Sequence, residues 1–188
     1  MAGINRASNS VNEYVVKSHL QGGIKCVFIS YQQKDKEQAR KVAAYLLDAG
    51  IDIYFDEFDR ELRIHHQNND PEKVTESICK GIDNSSHMMV VVSPNTVHST
   101  WVPFEIGYGY QKTDLRVLCL KGIAKGALPE YIRTVPVIRD IYDLNNRLSD
   151  WTGKPKNVLM ERTLLMSDHS NRDNPLSGVM DALIVDQY

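Results

Sequence analysis

The sequence predicts an α/β protein in which helices cover both faces of a central parallel five-stranded sheet. Two patterns carry this prediction. Short apolar segments recur between residues 25 and 141, and segments with helical spacing of apolar residues separate them. Strands that alternate with helices favour a parallel sheet with crossover helices. The first apolar run is also continuous, which is typical of a strand buried on both faces.

Five segments are predicted as strands, and turn residues bound most of them. The last one contains Pro136, which lacks the N–H group that a central ladder requires, so this strand is predicted at an edge of the sheet. The predicted strands are Lys25–Tyr31, Ile51–Phe55, His87–Val92, Leu115–Leu120 and Val135–Ile141.

Helices are predicted where apolar residues recur three and four positions apart. Asp35 is a suitable N-cap for the helix that follows it, and Gly50 suits the end of that helix. Pro71 favours a helix start, because proline fits the first helical turn. The predicted helices span Ser10–His19, Lys36–Ala49, a segment from about Asp70 through Ile82, and Pro103–Gln111.

The length of 188 residues suits one domain with a modest appendage. Residues 1–24 are predicted as an N-terminal extension, 25–145 as the domain, and 146–188 as a C-terminal appendage packed on it. The appendage has weak periodicity. Its predicted elements are helices at Val158–Met166 and Val179–Val185, with a turn at Asn171–Pro175.

Charge and composition exclude several partners. The net charge is −2, with 22 basic and 24 acidic residues, so neither nucleic acid nor an anionic membrane is an expected partner. The run Met88–Val92 is far too short to span a bilayer. Three separated cysteines fit neither a disulfide framework nor a zinc site, which predicts a cytoplasmic location. His65 and His66 are adjacent and would point apart, so no metal site is expected.

A ligand is expected at the carboxyl ends of the strands, where open parallel sheets bind their ligands. Ser30-Tyr31, Phe55 and Ser93-Pro94-Asn95 lie at such ends. No G-x-x-x-x-G-K-[ST] sequence exists, and Gly107-Tyr108-Gly109 falls inside a predicted helix. The usual nucleotide-binding loops are therefore absent from the sequence. Ser93 and Ser99 have no histidine at a recognisable hydrolase spacing.

Three boxes in order resemble those of TIR domains. Phe28-Ile29-Ser30-Tyr31 followed by Asp35 resembles the opening box, and the run from Ile78 to Asn95 resembles the central helix and strand. Ser99-Thr100-Trp101-Val102-Pro103-Phe104-Glu105 resembles the motif S-x-W-C-x-x-E. The similarity covers roughly residues 25–145. It implies a flavodoxin-like TIR fold.

The resemblance also implies an activity. In enzymatic TIR domains the motif glutamate is catalytic, which places that role on Glu105, with NAD as the substrate and no further cofactor. The length, the extension and the tail resemble TIR proteins of the bacterial Thoeris anti-phage system. Those proteins make a cyclic ADP-ribose messenger that activates a separate effector. For this chain the resemblance implies a diffusible cyclic product, with a homo-oligomer or a phage component as the switch.

The chemistry of NAD suits a single carboxylate. Nicotinamide is cationic in NAD and leaves as a neutral molecule, so the barrier is the positive charge that develops on ribose, which a nearby carboxylate offsets. Trp101 could stack on nicotinamide or adenine, Ser30 and Tyr31 could contact the diphosphate or a ribose, and Phe55 could help exclude water. The structural alternatives are that Glu105 favours a helix start through the macrodipole and that Trp101 is a core residue.

Two departures from the family pattern leave other functions open. Val102 replaces the usual cysteine, and His65-His66-Gln67-Asn68-Asn69 follows the second strand where the family has a proline–glycine pattern. That loop often mediates association of TIR domains, so the mode of assembly stays open. One rival function is a non-enzymatic TIR scaffold that signals by association. Another is a different glycosidic-bond enzyme, such as a nucleoside deoxyribosyltransferase.

Overall fold

The central sheet has five strands in the order β2-β1-β3-β4-β5, and every neighbouring pair is parallel. The computed structural model describes residues 2–8, 12–55, 64–65, 67–123, 127–155 and 176–180. This order is that of flavodoxin-like folds and confirms the predicted fold class. The strands are β1 (Cys26–Tyr31), β2 (Asp52–Tyr54), β3 (His87–Val92), β4 (Asp114–Cys119) and β5 (Val137–Ile138).

Helices cover both faces of the sheet, as predicted. One buried cluster joins the sheet to α2 and α5, and a second cluster joins the opposite face to α3 and α4. No helix in the described ranges is long and apolar enough to cross a membrane. The helices of five or more residues in these ranges are α1 (Glu13–Gln21), α2 (Lys36–Ala49), α3 (Pro71–Asp83), α4 (Trp101–Gly109) and α5 (Ile141–Thr152).

Helix α2 begins and ends where the sequence predicts, but its N-terminus lacks a side-chain cap. Gly50 ends the helix with a φ of 91°, a left-handed conformation that glycine adopts without steric cost. Asp35 precedes the helix, but its side chain makes no capping hydrogen bond. Its carboxylate instead accepts hydrogen bonds from Ser93 and Asn95. Asp35 therefore occupies the predicted N-cap position but does not cap the helix with its side chain, because these distant donors bind the carboxylate.

The N-terminal residues extend the sheet beyond β2. The N–H of Ile53 donates to the carbonyl of Ile4 at 2.9 Å, and the N–H of Arg6 donates to the carbonyl of Ile53 at 2.8 Å. The side chain of Asn5 pairs with the backbone of Phe55 in both directions. Together these bonds cover the exposed ladder of the edge strand, which protects it from pairing with another chain.

The C-terminal part departs most from the prediction. Strand β5 lies at the edge as expected, but it comprises only Val137 and Ile138. The chain then turns into α5, where Asp140 is the N-cap and accepts a hydrogen bond from the N–H of Asp143 at 2.9 Å. The predicted boundary at residue 145 falls inside this helix. Of the appendage beyond residue 155 only 176–180 are described. The predicted helix Val158–Met166 and the predicted turn Asn171–Pro175 lie outside the described residues, as does the predicted helix Val179–Val185 apart from its first two residues.

Helix α4 begins two residues earlier than predicted. Trp101 is its first residue, and Pro103 lies in its first turn, where the missing N–H of proline removes no helical bond. The hydroxyl of Ser99 accepts a hydrogen bond from the N–H of Val102 at 3.2 Å and helps to satisfy this end of the helix. The shift moves Glu105 from the expected helix start into the second turn.

Candidate active site

The candidate site lies where β1 and β3 end, at the switch point of the sheet. After β1 the chain leads to α2 on one face, whereas after β3 it leads to α4 on the other face. Neighbouring loops that diverge in this way open a crevice, and doubly wound proteins bind their ligands there. A polar side chain at this edge can therefore either contact a ligand in the crevice or connect the two loops that form it.

Glu105 and Ser30 meet at this switch point. The hydroxyl of Ser30, the last residue but one of β1, donates a hydrogen bond of 2.5 Å to Oε2 of Glu105 on α4. The two residues are 75 positions apart in sequence, and they are 1% and 6% exposed respectively. A hydrogen bond from a hydroxyl to a carboxylate stabilises the negative charge and fixes its direction. The fold thus places a buried, oriented carboxylate at the expected ligand edge.

The position of Glu105 weakens its structural alternative. The first turn of α4 contains no acidic residue, because Glu105 is the fifth residue of the helix. The stabilising effect of the macrodipole falls off within the first turn. A glutamate placed to complement the helix dipole would lie earlier in the chain. The burial of this side chain is therefore not explained by the dipole.

Trp101 lies one helical turn before Glu105. Its half-buried ring packs edge-on against Phe104, with centroids 6.0 Å apart, and Phe104 stacks on Tyr108 at 6.1 Å. Residues four apart lie on the same side of a helix, so Trp101 and Glu105 share one side of α4. Beyond the C-terminus of α4, a hydrogen bond from Lys112 lowers the pKa of Asp83 on α3. The aromatic row holds Trp101 in place beside the carboxylate.

Tyr31 and Phe55 form a separate pair. Their ring centroids are 5.1 Å apart, and both pack with the cluster on the face of α2 and α5. Phe55 is 1% exposed and lines a pocket of about 490 Å³ between residues 4–8, β2 and α2. Ser30 and Glu105 instead lie toward the face of α3 and α4. The sequence predicted all four residues as parts of one site, and the fold divides them into two pairs.

The sequence analysis missed a second buried carboxylate at this edge. Asp35 is 3% exposed and accepts hydrogen bonds from the hydroxyl of Ser93 and, at 2.7 Å, from the amide of Asn95. The sequence places Ser93 and Asn95 at the carboxyl end of β3 but does not predict that they bond to Asp35. One pattern in the sequence could have found the contact: polar residues follow two strands that become neighbours across the switch point.

The site offers no alternative built on a metal or a thiolate within the described residues. No group of three or more metal-ligating side chains is found in them. His65 is described and His66 is not, so the pair is not tested as a whole. Cys119 ends β4 at the same edge, but burial raises the pKa of its thiol, and burial raises that of Cys26 to about 11. Neither thiol is suited to act as a nucleophile at neutral pH.

Comparison with known proteins identifies the family of the chain. A family model described as the TIR domain matches residues 27–154. This chain belongs to the TIR domain family. The match includes β1, β3 and α4, which carry the boxes recognised in the sequence, and it continues through α5.

The chain is similar to a curated bacterial protein and to a solved TIR-domain structure. Over 80 residues the chain is 30% identical to the 2′ cyclic ADP-D-ribose synthase BtTIR of Bacteroides thetaiotaomicron. That alignment covers 42% of this chain and 25% of the relative, so the chain spans about a quarter of the relative's length. The crystal structure of the TIR domain of the Toll-related receptor TRR-2 from Hydra magnipapillata aligns with a TM-score of 0.49, at 19% identity, over 72% of this chain and 96% of that one.

Proposed function

We propose that this TIR domain breaks the nicotinamide–ribose bond of NAD, with Glu105 as the catalytic carboxylate. The observation that carries the proposal is the hydrogen bond between Ser30 and Glu105 at the switch point, which holds a buried carboxylate at the edge where such folds bind ligands. The relative named as a cyclic ADP-ribose synthase supports the same substrate class.

The reaction asks little of the protein beyond an oriented negative charge. When the bond breaks, its electron pair moves to the pyridinium ring and nicotinamide leaves neutral, so no acid is required. Positive charge develops on the ribose, and a carboxylate fixed in a site that excludes water stabilises it. Glu105 is almost fully buried, so little water competes for its charge.

Ser30 acts through Glu105 in this proposal. Its hydroxyl is 1% exposed and is already donated to the carboxylate, so it is poorly placed to bind the diphosphate as the sequence suggested. A positioned hydroxyl holds one carboxylate oxygen still, which limits the orientations of the other. Trp101 and Tyr31 stay proposed substrate contacts, since both are half-buried at the same edge. Phe55 stays a prediction, as a wall behind Tyr31.

We propose a cyclic product. After nicotinamide leaves, the ribose cation is captured by the nearest nucleophile. A hydroxyl of the same molecule forms the new C–O bond and loses its proton to solvent, whereas hydrolysis needs a positioned water. Cyclisation needs only that the hydroxyl lie within about 3–3.5 Å of the cation. A site lined by aromatic rings favours this outcome because it excludes water.

The proposal is tested by incubating the purified protein with NAD and measuring released nicotinamide and products by mass spectrometry. Glu105→Gln should reduce nicotinamide release by roughly 10²–10³-fold or more, because it removes the charge that stabilises the transition state. Glu76→Gln on the exposed surface of α3 is the matched control and should behave as wild type. Undiminished release by folded Glu105→Gln would remove Glu105 from the mechanism.

The same assay separates the rival functions and the role in defence. The isolated protein should be a poor NADase, and lysate from phage-infected cells should switch it on and yield a cyclic product. Rapid release of linear ADP-ribose without lysate would replace the messenger with simple NAD depletion. Exchange of bases between deoxynucleosides would indicate a deoxyribosyltransferase. Absence of all turnover, with and without lysate, would leave the non-enzymatic scaffold.

A further inference from the structure

Asp35 joins the two loops that diverge at the switch point. Its Oδ2 accepts a hydrogen bond from the hydroxyl of Ser93, and its Oδ1 accepts one from the side-chain amide of Asn95 at 2.7 Å. The N–H of Asn95 donates to the hydroxyl oxygen of Ser93 at 2.9 Å, which completes a compact cluster. Both carboxylate oxygens are thus used by the loop after β3, and none caps the helix that Asp35 precedes.

This cluster lies a short distance along the chain from the proposed catalytic helix. Asn95 is followed by a single 3-10 turn, Thr96–His98, and then by α4 from Trp101. The turn is itself fixed, because the fully buried Thr96 accepts a hydrogen bond from the N–H of Ser93 at 2.9 Å. The hydrogen bonds of Asp35 therefore help to fix the position of the start of α4.

The two contacts at this edge close a ring of connections. Asp35 ties the loop after β1 to the loop after β3, that loop leads into α4, and Glu105 on α4 returns to β1 through Ser30. Loops that leave opposite faces of a sheet have no ladder to hold them together. Asp35 supplies that link. It thereby helps to set the distance between Glu105 on α4 and Ser30 on β1.

We propose that Asp35 is a positioning residue for the reaction at Glu105, and this inference rests on the proposed function. It acts by holding the start of α4, so that Trp101 and Glu105 keep their places relative to the end of β1. It touches neither NAD nor the reacting atoms. Displacement of a catalytic group by about 1 Å can reduce turnover by about 10²-fold. The hydrogen bonds of Asp35 can therefore control the rate although Asp35 takes no part in the reaction itself.

The charge of Asp35 matters because of its donors. Hydrogen bonds to an ionised carboxylate are roughly twice as strong as neutral ones. Asp35→Asn keeps only one acceptor oxygen for the two donors, Ser93 and Asn95, so one of the two bonds is lost or weakened. Where the new amide group faces that of Asn95, two donors meet. Adding Asn95→Asp restores an acceptor opposite the new amide. The double variant therefore keeps the connection while it moves the charge to the other loop.

The test compares four proteins with wild type: Asp35→Asn, Asn95→Asp, the double variant, and Asp52→Asn. Asp52 is the matched control, since it is also a fully buried, hydrogen-bonded aspartate, but it begins β2 at the opposite edge of the sheet. The readouts are kcat and KM for NAD and the NMR signals of the two indole N–H groups. Trp101 reports on the start of α4, and Trp151 on α5 is the internal reference.

Asp35→Asn should lower kcat by roughly 10–10²-fold at a temperature well below its melting point, with a smaller change in KM, because the catalytic group is misplaced. It should shift the indole signal of Trp101 and leave that of Trp151. The double variant should recover part of both effects. Asp52→Asn should lower the melting temperature and leave kcat and the Trp101 signal unchanged.

A different pattern would overturn the inference. If Asp35→Asn lowers only the melting temperature, with kcat and the Trp101 signal as in wild type, Asp35 is structural in the same sense as Asp52. If Asp35→Asn does not fold, Ser93→Ala removes one of the two bonds and must still shift the Trp101 signal. If wild type releases no nicotinamide under any condition, the proposed function fails, and the Trp101 signal alone decides whether Asp35 holds α4.

Discussion

Buried carboxylates occur both where the strands begin, which we call the amino edge of the sheet, and where they end, the carboxyl edge. The two groups differ in what they connect. At the amino edge, Asp52 is fully buried and accepts hydrogen bonds from Arg6 at 2.8 Å, from His19 at 2.9 Å and from the N–H of Ile4 at 3.0 Å. All three partners come from the first 24 residues. At the carboxyl edge, Asp35 and Glu105 instead join β1 to the loop and helix that follow β3.

The comparison teaches that burial and good hydrogen bonding do not by themselves mark a functional carboxylate. Asp52 fastens an N-terminal segment to an edge strand, away from any diverging loops. Asp35 and Glu105 lie where the topology opens a crevice. A buried charge costs several kcal/mol wherever it lies. Location in the topology therefore separates the two groups, since their burial is similar.

The largest expected effect that sharpens this contrast is on stability at the amino edge. Asp52→Asn leaves Arg6 buried without its counter-charge, and breaking a buried ion pair from one side costs about 3–5 kcal/mol. Urea denaturation should show that loss in the free energy of unfolding. Nicotinamide release by the remaining folded protein should match wild type. A loss of turnover with unchanged stability would erase the distinction between the edges.

The positions of the strands could be predicted from the sequence because the signals that determine them are local. Strand β3 lies where it was predicted, and β1, β2 and β4 each differ by one residue at one or both ends. Gly50 and Pro71 also lie where helix chemistry places them. Continuous apolar runs and turn residues act over a few positions, so no knowledge of distant contacts is needed.

The remaining features depend on contacts between distant parts of the chain. Asp35 could cap its own helix or bond to Ser93, which lies 58 positions away, and sequence pattern favours the local choice. Helix α5 was missed for another reason. Pro136 and the apolar residues around it favoured one long strand, and this hid the N-cap Asp140 and the helical spacing of Ile141, Leu144 and Leu148.

The candidate site was predicted in part. Glu105 and Trp101 follow from a motif on one helix, and Ser30 follows from the end of a strand. The sequence could not reveal that Ser30 donates to Glu105, nor that Tyr31 and Phe55 pack toward the other face. Successive strand residues point to opposite faces, so Ser30 and Tyr31 must separate. The residues of the predicted site thus lie at one edge of the sheet but on two different faces of it.

A smaller effect is expected at Trp101, and it sharpens the contrast at the carboxyl edge. Aromatic stacking contributes about 0.5–1.5 kcal/mol beyond area burial, which corresponds to a weakening of NAD binding by roughly 2- to 13-fold in Trp101→Ala. Trp101→Phe should be partly active. Trp151→Phe is the control, because this tryptophan packs edge-on against His87 at the amino edge with centroids 4.7 Å apart. Wild-type turnover by both Trp101 variants would make Trp101 structural.

The smallest expected effect is a pH dependence of stability that comes from His87, the first residue of β3. Its side chain is largely buried, and burial lowers its pKa below the usual 6.5, although the carboxylate of Asp114, 3.8 Å away, opposes the shift. The folded protein therefore favours the neutral imidazole, and the unfolded chain takes up a proton first as the pH falls.

The sign of this effect follows from proton linkage. The contribution of His87 to stability is complete above pH 6.5 and is lost as the pH falls from there through the lower pKa of the folded state. His87→Gln cannot bind that proton, so its free energy of unfolding should fall less than that of wild type between pH 7 and pH 5. Urea denaturation of both proteins over this range measures the difference directly.

Nicotinamide release at pH 7 should be equal in the two, because His87 lies at the edge opposite Glu105. Parallel stability curves would mean that the pKa of His87 is the same in the folded and unfolded states. A change in turnover would mean that the two edges are coupled.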